Sequence, residues 1–189
     1  MGDSTLIDCG KKVIEKCNEY CTETDDSGQK CMSKAKLKEM VQDEFGSMMK
    51  NPANAEAVAQ LTKVVDDVKE SKITPSTLCP FYGKVLILMS KAPQASASGD
   101  AVLPSCGKKI ISKFNDYCTE TDDQGQKCMP KAKLQELVQK EFGDMIKNPR
   151  HPDTVKLLLS KVDDIKAPKI TFADACPLYI AVLIELTKS

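Results

Sequence analysis

The 189-residue chain has no tryptophan, one histidine and only 5% aromatic residues, and its 27 basic residues are matched by 27 acidic ones. Each shortage removes a class of function. Without net positive charge there is no general pull toward nucleic acid or an acidic membrane surface. Without aromatic platforms a single strand has little to stack on. The lone His151, read as a solvent-exposed hinge residue, cannot supply the several histidines of a transition-metal site, nor a base for a nucleophile in each part of the chain. No Gly-rich phosphate loop is present, and the carboxylate pair Asp66/Asp67 falls at a loop start, so a non-enzymatic protein without cofactor is expected. No apolar run approaches the ~20 residues of a membrane-spanning helix. The opening MGDSTLIDCGKK lacks an apolar signal core, and Leu6 stands where a myristoylation motif needs Ser or Thr.

What is present is a repeat. The phrase CTETDDSGQKCMSKAKL (Cys21–Leu37) returns as CTETDDQGQKCMPKAKL (Cys118–Leu134) with two substitutions, and an offset of 97 residues lays Cys9–Lys91 on Cys106–Lys188 with 49 of 83 positions identical. Two copies are too few for a solenoid and describe a tandem of similar units. The expected division is a first domain at 1–90, a small, polar, Pro/Gly/Ser-containing linker at 91–103 and a second domain at 104–189.

Each unit reads as four helices. Leu6, Val13, Ile14, Cys17 and Tyr20 recur at helical spacing, with Ser4 available as N-cap. Ser33 can cap a second helix carrying Leu37, Met40, Val41, Phe45, Met48 and Met49, and Pro52 marks its end. Val58, Leu61, Val64 and Val65 mark a third helix, and an apolar stretch beginning Cys79-Pro80 a fourth, with the proline expected in its first turn. Strand content should be little more than a pairing between 30–32 and 72–74. The predicted class is all-α.

The order helix, acidic loop, helix, hinge, helix, loop, helix in about 90 residues, with KLQELVQKEFGDMIKNPRHPDTV and its first-copy counterpart, resembles the S-100 (calgranulin and calcyclin) family of EF-hand proteins. Phe114 and Tyr117 match the family's first-helix aromatics, and Cys17 replaces that Phe in the first copy. The resemblance covers essentially the whole chain twice. It implies two tandem four-helix EF-hand-pair domains packed as an intramolecular pseudo-dimer, a monomeric chain acting as an internal dimer.

The calcium loops depart from the pattern. An EF-hand closes its oxygen shell with a glutamate at the last position. The second loops, 66–77 and 163–174, begin at Asp66 and Asp163 but end in Thr77 and Asp174, with Val68, Ser71, Ile165, Ala167 and Pro168 at ligand or glycine positions. In the opening loops Lys36 and Lys133 take the closing position, and Asp25/Asp26 and Asp122/Asp123 read as solvated acidic turns before Gly28 and Gly125. No metal is expected there; the lysines are expected to neutralise the acidic loops in place of an ion. A residual weak calcium site in a cytosolic protein is the alternative.

Four cysteines per copy occupy equivalent places, and Cys17 is unmatched. An even set plus one suggests disulfides with a spare thiol; Cys9 and Cys21 lie ~18 Å apart on one helix and cannot bond. Cys21–Cys31 and Cys118–Cys128 bracket the opening loops and could close them. If the halves pair as the resemblance implies, Cys9–Cys176 and Cys79–Cys106 would join them. Cys17 is then the free thiol, filling a Phe-sized site, though a redox pair with Cys21 at i+4 is conceivable. Disulfides imply an extracellular setting, by non-classical release or after removal of a signal; a cytoplasmic protein with reduced thiols is the alternative.

The resemblance further implies a partner groove between the hinge and the last two helices. Its candidate liners are Phe45, Met48, Met49, Phe81 and Tyr82, then Phe142, Met145, Ile146, Leu178 and Tyr179. The expected function is calcium-independent recognition of a protein or peptide, in signalling, defence or at a mucosal surface. A carrier of a small apolar ligand and a structural protein of mucus, foam or coat are the other readings, and the same residues could simply be core.

Overall fold

The computed structural model describes residues 4–51, 54–91, 101–146 and 152–188, the side chains over 144–157 excepted. His151, Met145 and Ile146 therefore lie outside the described side chains. The described chain is mostly helical. The first copy runs α1 (Thr5–Tyr20), β1 (Glu23–Thr24), β2 (Lys30–Cys31), α2 (Lys34–Met49), α3 (Ala55–Asp66) and α4 (Pro75–Lys91). The second runs α5 (Val102–Asn115), β3 (Glu120–Thr121), β4 (Lys127–Met129), α6 (Lys131–Ile146), α7 (Pro152–Asp164), β5 (Ile170–Thr171) and α8 (Phe172–Leu186). Lys91, Val102 and Leu103, placed in the linker by composition, are helical.

Capping residues set the helix starts. The Ser4 hydroxyl accepts from Ile7 N at 3.2 Å and the Ser33 hydroxyl from Lys36 N at 3.3 Å, each satisfying one orphan first-turn amide. The fourth helix begins earlier than its Cys79-Pro80 pair suggests. Thr74 and Thr77 cap each other, with Thr74 N donating to Thr77 Oγ1 at 2.9 Å, so Pro75 takes the first turn and Pro80 falls inside the helix. In α8 the equivalent pair is a capping box: Thr171 N and Oγ1 both donate to Asp174 Oδ2, at 2.9 and 2.7 Å. Thr77 and Asp174, the last positions of the second loops, thus serve as helix caps.

The expected short pairing is present as an antiparallel bridge, with Met32 N donating to Ile73 O and Ile73 N to Met32 O, both at 2.8 Å. In the second copy it widens to β4–β5, Cys128 opposite Thr171 and Met129 opposite Ile170. Strands β1 and β3 were not expected; they turn each opening loop into a hairpin.

The copies pack on each other, chiefly α1 on α5 and α4 on α8. Four reciprocal hydrogen bonds lock them. Tyr82 Oη donates to Leu103 O at 2.8 Å, and its equivalent Tyr179 Oη donates to Leu6 O at 3.0 Å. Leu103 N donates to the buried Glu44 carboxylate at 2.8 Å, and Leu6 N to the buried Glu141 carboxylate at 3.2 Å. A single apolar core continues through both copies, including Leu37, Met40, Phe45 and Leu86 in the first and Leu103, Ile110, Phe142 and Val182 in the second. Each such side chain contributes roughly 1.5–3 kcal/mol on leaving water. The copies differ where Phe114 meets Phe172 edge-on at 5.4 Å. Their equivalents are Cys17 and Pro75, so both rings of that contact are missing from the first copy, and Cys17 is buried in its place.

Candidate functional site

The opening loop is built by turn chemistry. Asp25 N donates to Gln29 O at 2.8 Å and Gly28 N to Asp25 O at 3.0 Å, closing a four-residue turn that hands over to β2 through Gly28 at φ 79°. The Asp25 carboxylate is consumed inside that turn, its Oδ1 accepting from Ser27 N at 2.9 Å, Ser27 Oγ at 2.6 Å and Gln29 N at 2.9 Å. These bonds, the Ser27 hydroxyl first, hold the Asp25 carboxyl below the usual carboxylate range. The second copy repeats the device with Asp122, Gln124, Gln126 and Gly125 at φ 74°. A Cβ at Gly28 would touch nothing within 4 Å, so Gly28→Ala should cost ~1–2 kcal/mol through backbone strain alone, readable as a lower urea midpoint.

The lysines do not sit where sequence placed them. Lys36 pairs with Glu39 at 2.7 Å and Lys133 with Glu136 at 2.7 Å, on one helix face each. An i,i+3 carboxylate is simply nearer than the loop. Other lysines reach the loops. Lys72 binds Asp26 at 2.9 Å, joining second loop to first. The second copy departs here: Lys169, the equivalent of Lys72, turns to Glu120 at 3.5 Å and to Thr121 O at 3.3 Å. Asp123, the equivalent of Asp26, stays exposed at the tip of its turn, where solvent rather than Lys133 screens its charge. Of the pair Asp122/Asp123, read together as solvated, only Asp123 is so, because Asp122 is spent on the turn amides. Lys34 Nζ donates to Asp66 O at 2.6 Å and Val68 O at 2.8 Å, while Lys38 holds the Asp66 carboxylate at 2.9 Å. Lys131 bonds Asp163 O at 3.0 Å in the second copy. The acids and carbonyls that a calcium ion would gather are divided among turn amides, lysines, helix caps and solvent. The residues present do not fit that ion.

All nine cysteines are free, so the loop bonds Cys21–Cys31 and Cys118–Cys128 expected from sequence are not formed. Cys21 and Cys31 interact across the hairpin base, as do Cys118 and Cys128; burial, and then the facing sulfur, push Cys21 and Cys118 each up to about 11. The reciprocal pairs Cys9–Cys176 and Cys79–Cys106 are not formed. Cys176 Sγ donates to Gly83 O at 3.5 Å, Cys79 Sγ donates to Pro75 O at 3.2 Å, and Cys9 has Cys106 as its partner. Equivalent cysteines meet because α1 lies along α5.

The expected groove liners are mostly core. Phe45, Met48, Phe81, Tyr82, Phe142, Leu178 and Tyr179 are buried and Met49 is partly so. Tyr82 and Tyr179 are inter-copy clamps instead.

No protein-family model matches this chain.

Among the described residues, two hollows adjoin these packed side chains, and a third lies apart from them between Ser90, Asn115 and Lys127. In the second copy an apolar cavity of about 20 Å³ lies among Leu6, Phe114, Phe142, Phe172 and Tyr179. In the first copy an open depression of about 330 Å³ separates the end of α3 from α4. Val64, Val68, Pro80 and Phe81 form its apolar floor, with Asp67, Glu70 and Lys84 around it. Sequence periodicity missed this depression because Val68 and Glu70 belong to the second loop, not to a helix face.

Proposed function

We propose that the chain is a non-enzymatic, S-100-like binding protein: two EF-hand-derived units closed on each other as an internal dimer, whose loops have exchanged calcium for turn bonds and lysines. Its binding site is the depression between α3 and α4 of the first copy, and the depression is the observation that carries this reading. The floor offers an apolar anchor point, and Asp67 and Glu70 at the rim suit a cation. The matching occupant is an amphipathic peptide segment of a partner protein, with apolar side chains on one face and a lysine or arginine beside them. The bridge between Met32 and Ile73, which couples the two loops of one unit, and the repeated order of helices support the EF-hand origin. The disulfides on which an extracellular setting was expected are not formed, so this reading is tied to no compartment. A carrier of a small ligand gains little from the second-copy cavity, since 20 Å³ holds about one water-sized probe.

The test is titration of the ¹⁵N-labelled full chain with a basic Leu/Lys amphipathic helical peptide, in calcium and again in chelator. Amide shifts should cluster at Val64, Val68 and Lys84 under both conditions. Val68→Glu should weaken binding by about tenfold or more, ~1.4 kcal/mol. Shifts elsewhere, or binding seen only with calcium, would overturn the reading. A separate calorimetric titration with calcium chloride should record no saturable heat; micromolar uptake would restore the calcium reading of the loops.

A further inference from the structure

The last turns of α4 and α5 converge with the β3–β4 hairpin and the start of α8 around an open cavity of about 610 Å³ where the copies meet. Ser90 and Lys91 end α4, Ile111 and Asn115 belong to the last turn of α5, and Gln126 and Lys127 come from the hairpin. Phe172 opens α8. Such a volume is that of a small-molecule site, and such sites gather where two units join. The 97-residue offset defines a related corner in which the chain spends the same groups on itself. There Thr187, the equivalent of Ser90, shares a hydrogen bond with Ser76 at 2.7 Å, tying the end of α8 to the start of α4. In the open corner Ala173 replaces Ser76, and the Ser90 hydroxyl donates back to Ile87 O at 2.8 Å. Lys188, the equivalent of Lys91, is held at 3.0 Å by Glu185, three residues before it. Leu88 takes that position before Lys91. Pro75 stands where the open corner has the Phe172 ring. One corner is thus bridged and its terminal lysine neutralised; the other is unbridged and keeps its lysine free.

We propose that this cavity binds a small amphipathic monocarboxylate, its head taken by Lys91 and Lys127 and its apolar tail laid against Ile111 and Phe172. The inference is independent of the peptide-binding reading, which uses the depression between α3 and α4. Charge selects the head. Among the described residues no ion pair engages Lys91 or Lys127, and the lining contains no acid. Nearby acids are committed elsewhere or lie outside the lining. Asp122 accepts from the Gln124 and Gln126 amides, Glu120 faces Lys169, and Asp174 caps α8. Asp116 and Asp123 are exposed and form no part of the wall. The C-terminal ends of α4 and α5 each bring roughly half a negative charge to the cavity, so two ammonium groups leave an excess of roughly one positive charge. One carboxylate balances that excess. The half-buried Asn115 side chain adds a neutral donor beside the lysines. Two apolar side chains make room for a short tail, and they distinguish this ligand from a bare inorganic anion.

The experiment adds sodium octanoate, below its micelle-forming concentration, to the ¹⁵N-labelled full chain and follows amide shifts, with affinity measured by calorimetry. Shifts should cluster at Lys91, Asn115, Gln126 and Lys127. Lys91→Gln and Lys127→Gln should each weaken octanoate binding by about three- to tenfold, as the loss of one charge-assisted contact does. Both side chains are exposed, so neither substitution touches the core. Lys30→Gln combined with Lys188→Gln removes the same two charges from the related corner and should leave the affinity unchanged. Octylamine, with the same tail and the opposite head, and inorganic phosphate, a head without a tail, should each bind at least about tenfold more weakly than octanoate. Octylamine binding as tightly as octanoate would overturn the proposal, as would phosphate doing so. An affinity that survives loss of both Lys91 and Lys127 would overturn it too. So would the absence of any shift at millimolar octanoate, or shifts gathered at Val64 and Val68, which would place the ligand in the other depression.

Discussion

Replacing Glu44 with alanine should lower the stability of the chain by about 3–5 kcal/mol, among the largest effects available to a single side chain here. The carboxylate sits on α2 of the first copy, buried, and accepts Leu103 N of the second copy at 2.8 Å. Leu103 lies in the first turn of α5, whose amides have no intrahelical partner, and the N-cap position there is Ala101, which offers no side-chain acceptor. Glu44 therefore caps a helix of the other copy, with its negative charge at the positive end of the helix dipole. Its second oxygen lies 3.5 Å from Lys16. Alanine would leave a buried amide unsatisfied and remove the longer of two carboxylate contacts of Lys16, which keeps Glu19 at 2.8 Å. Glu141 makes the reciprocal contact with Leu6 N and with Lys113 at 3.2 Å each, but Ser4 already caps α1 through Ile7 N. Glu141→Ala should accordingly cost less, about 2–3 kcal/mol. The double variant should separate urea unfolding into two transitions, one per copy. A cost below ~1 kcal/mol for Glu44→Ala, measured by urea unfolding at neutral pH, would show that solvent replaces the cap freely.

These glutamates also mark the limit of what sequence could tell. In QDEFG and QKEFG they look like surface charges, and their partners lie 59 and 135 positions away. The 97-residue offset nevertheless identified them as equivalents, and the structure uses equivalence throughout: Tyr82 with Tyr179, Cys9 with Cys106, Gly28 with Gly125. Helix starts at Ser4 and Ser33 were legible because capping is local chemistry. The Met32–Ile73 bridge was legible through its repetition. The opening loops were read as acidic turns before a glycine, and turns they are, but sequence could not show that Lys36 and Lys133 would prefer Glu39 and Glu136 to them. Only the geometry shows Asp25 Oδ1 turned inward onto Ser27 and Gln29. Only the geometry, too, separates Asp26, held by Lys72, from its exposed equivalent Asp123. Phe45, Met48 and Tyr82 were groove liners by what the resemblance implied, and the apolar helix faces they lie on do not say what covers them. A second copy of the same unit covers part of that face, as Tyr82 bound to Leu103 shows.

Introducing isoleucine at Gly83 should destabilise the chain by about 3 kcal/mol, and exchanging the pair as Gly83→Ile with Ile180→Gly should recover most of the loss. The two positions are equivalents under the 97-residue offset, yet one copy has no side chain and the other a branched one. They meet where α4 packs on α8. A Cβ built on Gly83 would lie 2.7 Å from both Cγ1 and Cδ1 of Ile180, closer than any real contact. Cγ1 is near the branch point, and a β-branched side chain has few staggered alternatives into which to turn. Ile180→Gly alone should cost ~2 kcal/mol by opening a void against Gly83. The three variants close a double-mutant cycle whose coupling term isolates the fit of this one contact. If the exchanged double variant is as unstable as the sum of the singles, the contact carries no specific fit. Recovery would carry a consequence for assembly. Two first copies placed face to face would leave a glycine–glycine void, and two second copies would force isoleucine against isoleucine. Only unlike copies fill the space, and within one chain the unlike partner is always at hand. Gly83→Ile should therefore also raise the fraction of chain eluting as dimer or larger by size exclusion, while the exchanged variant stays monomeric.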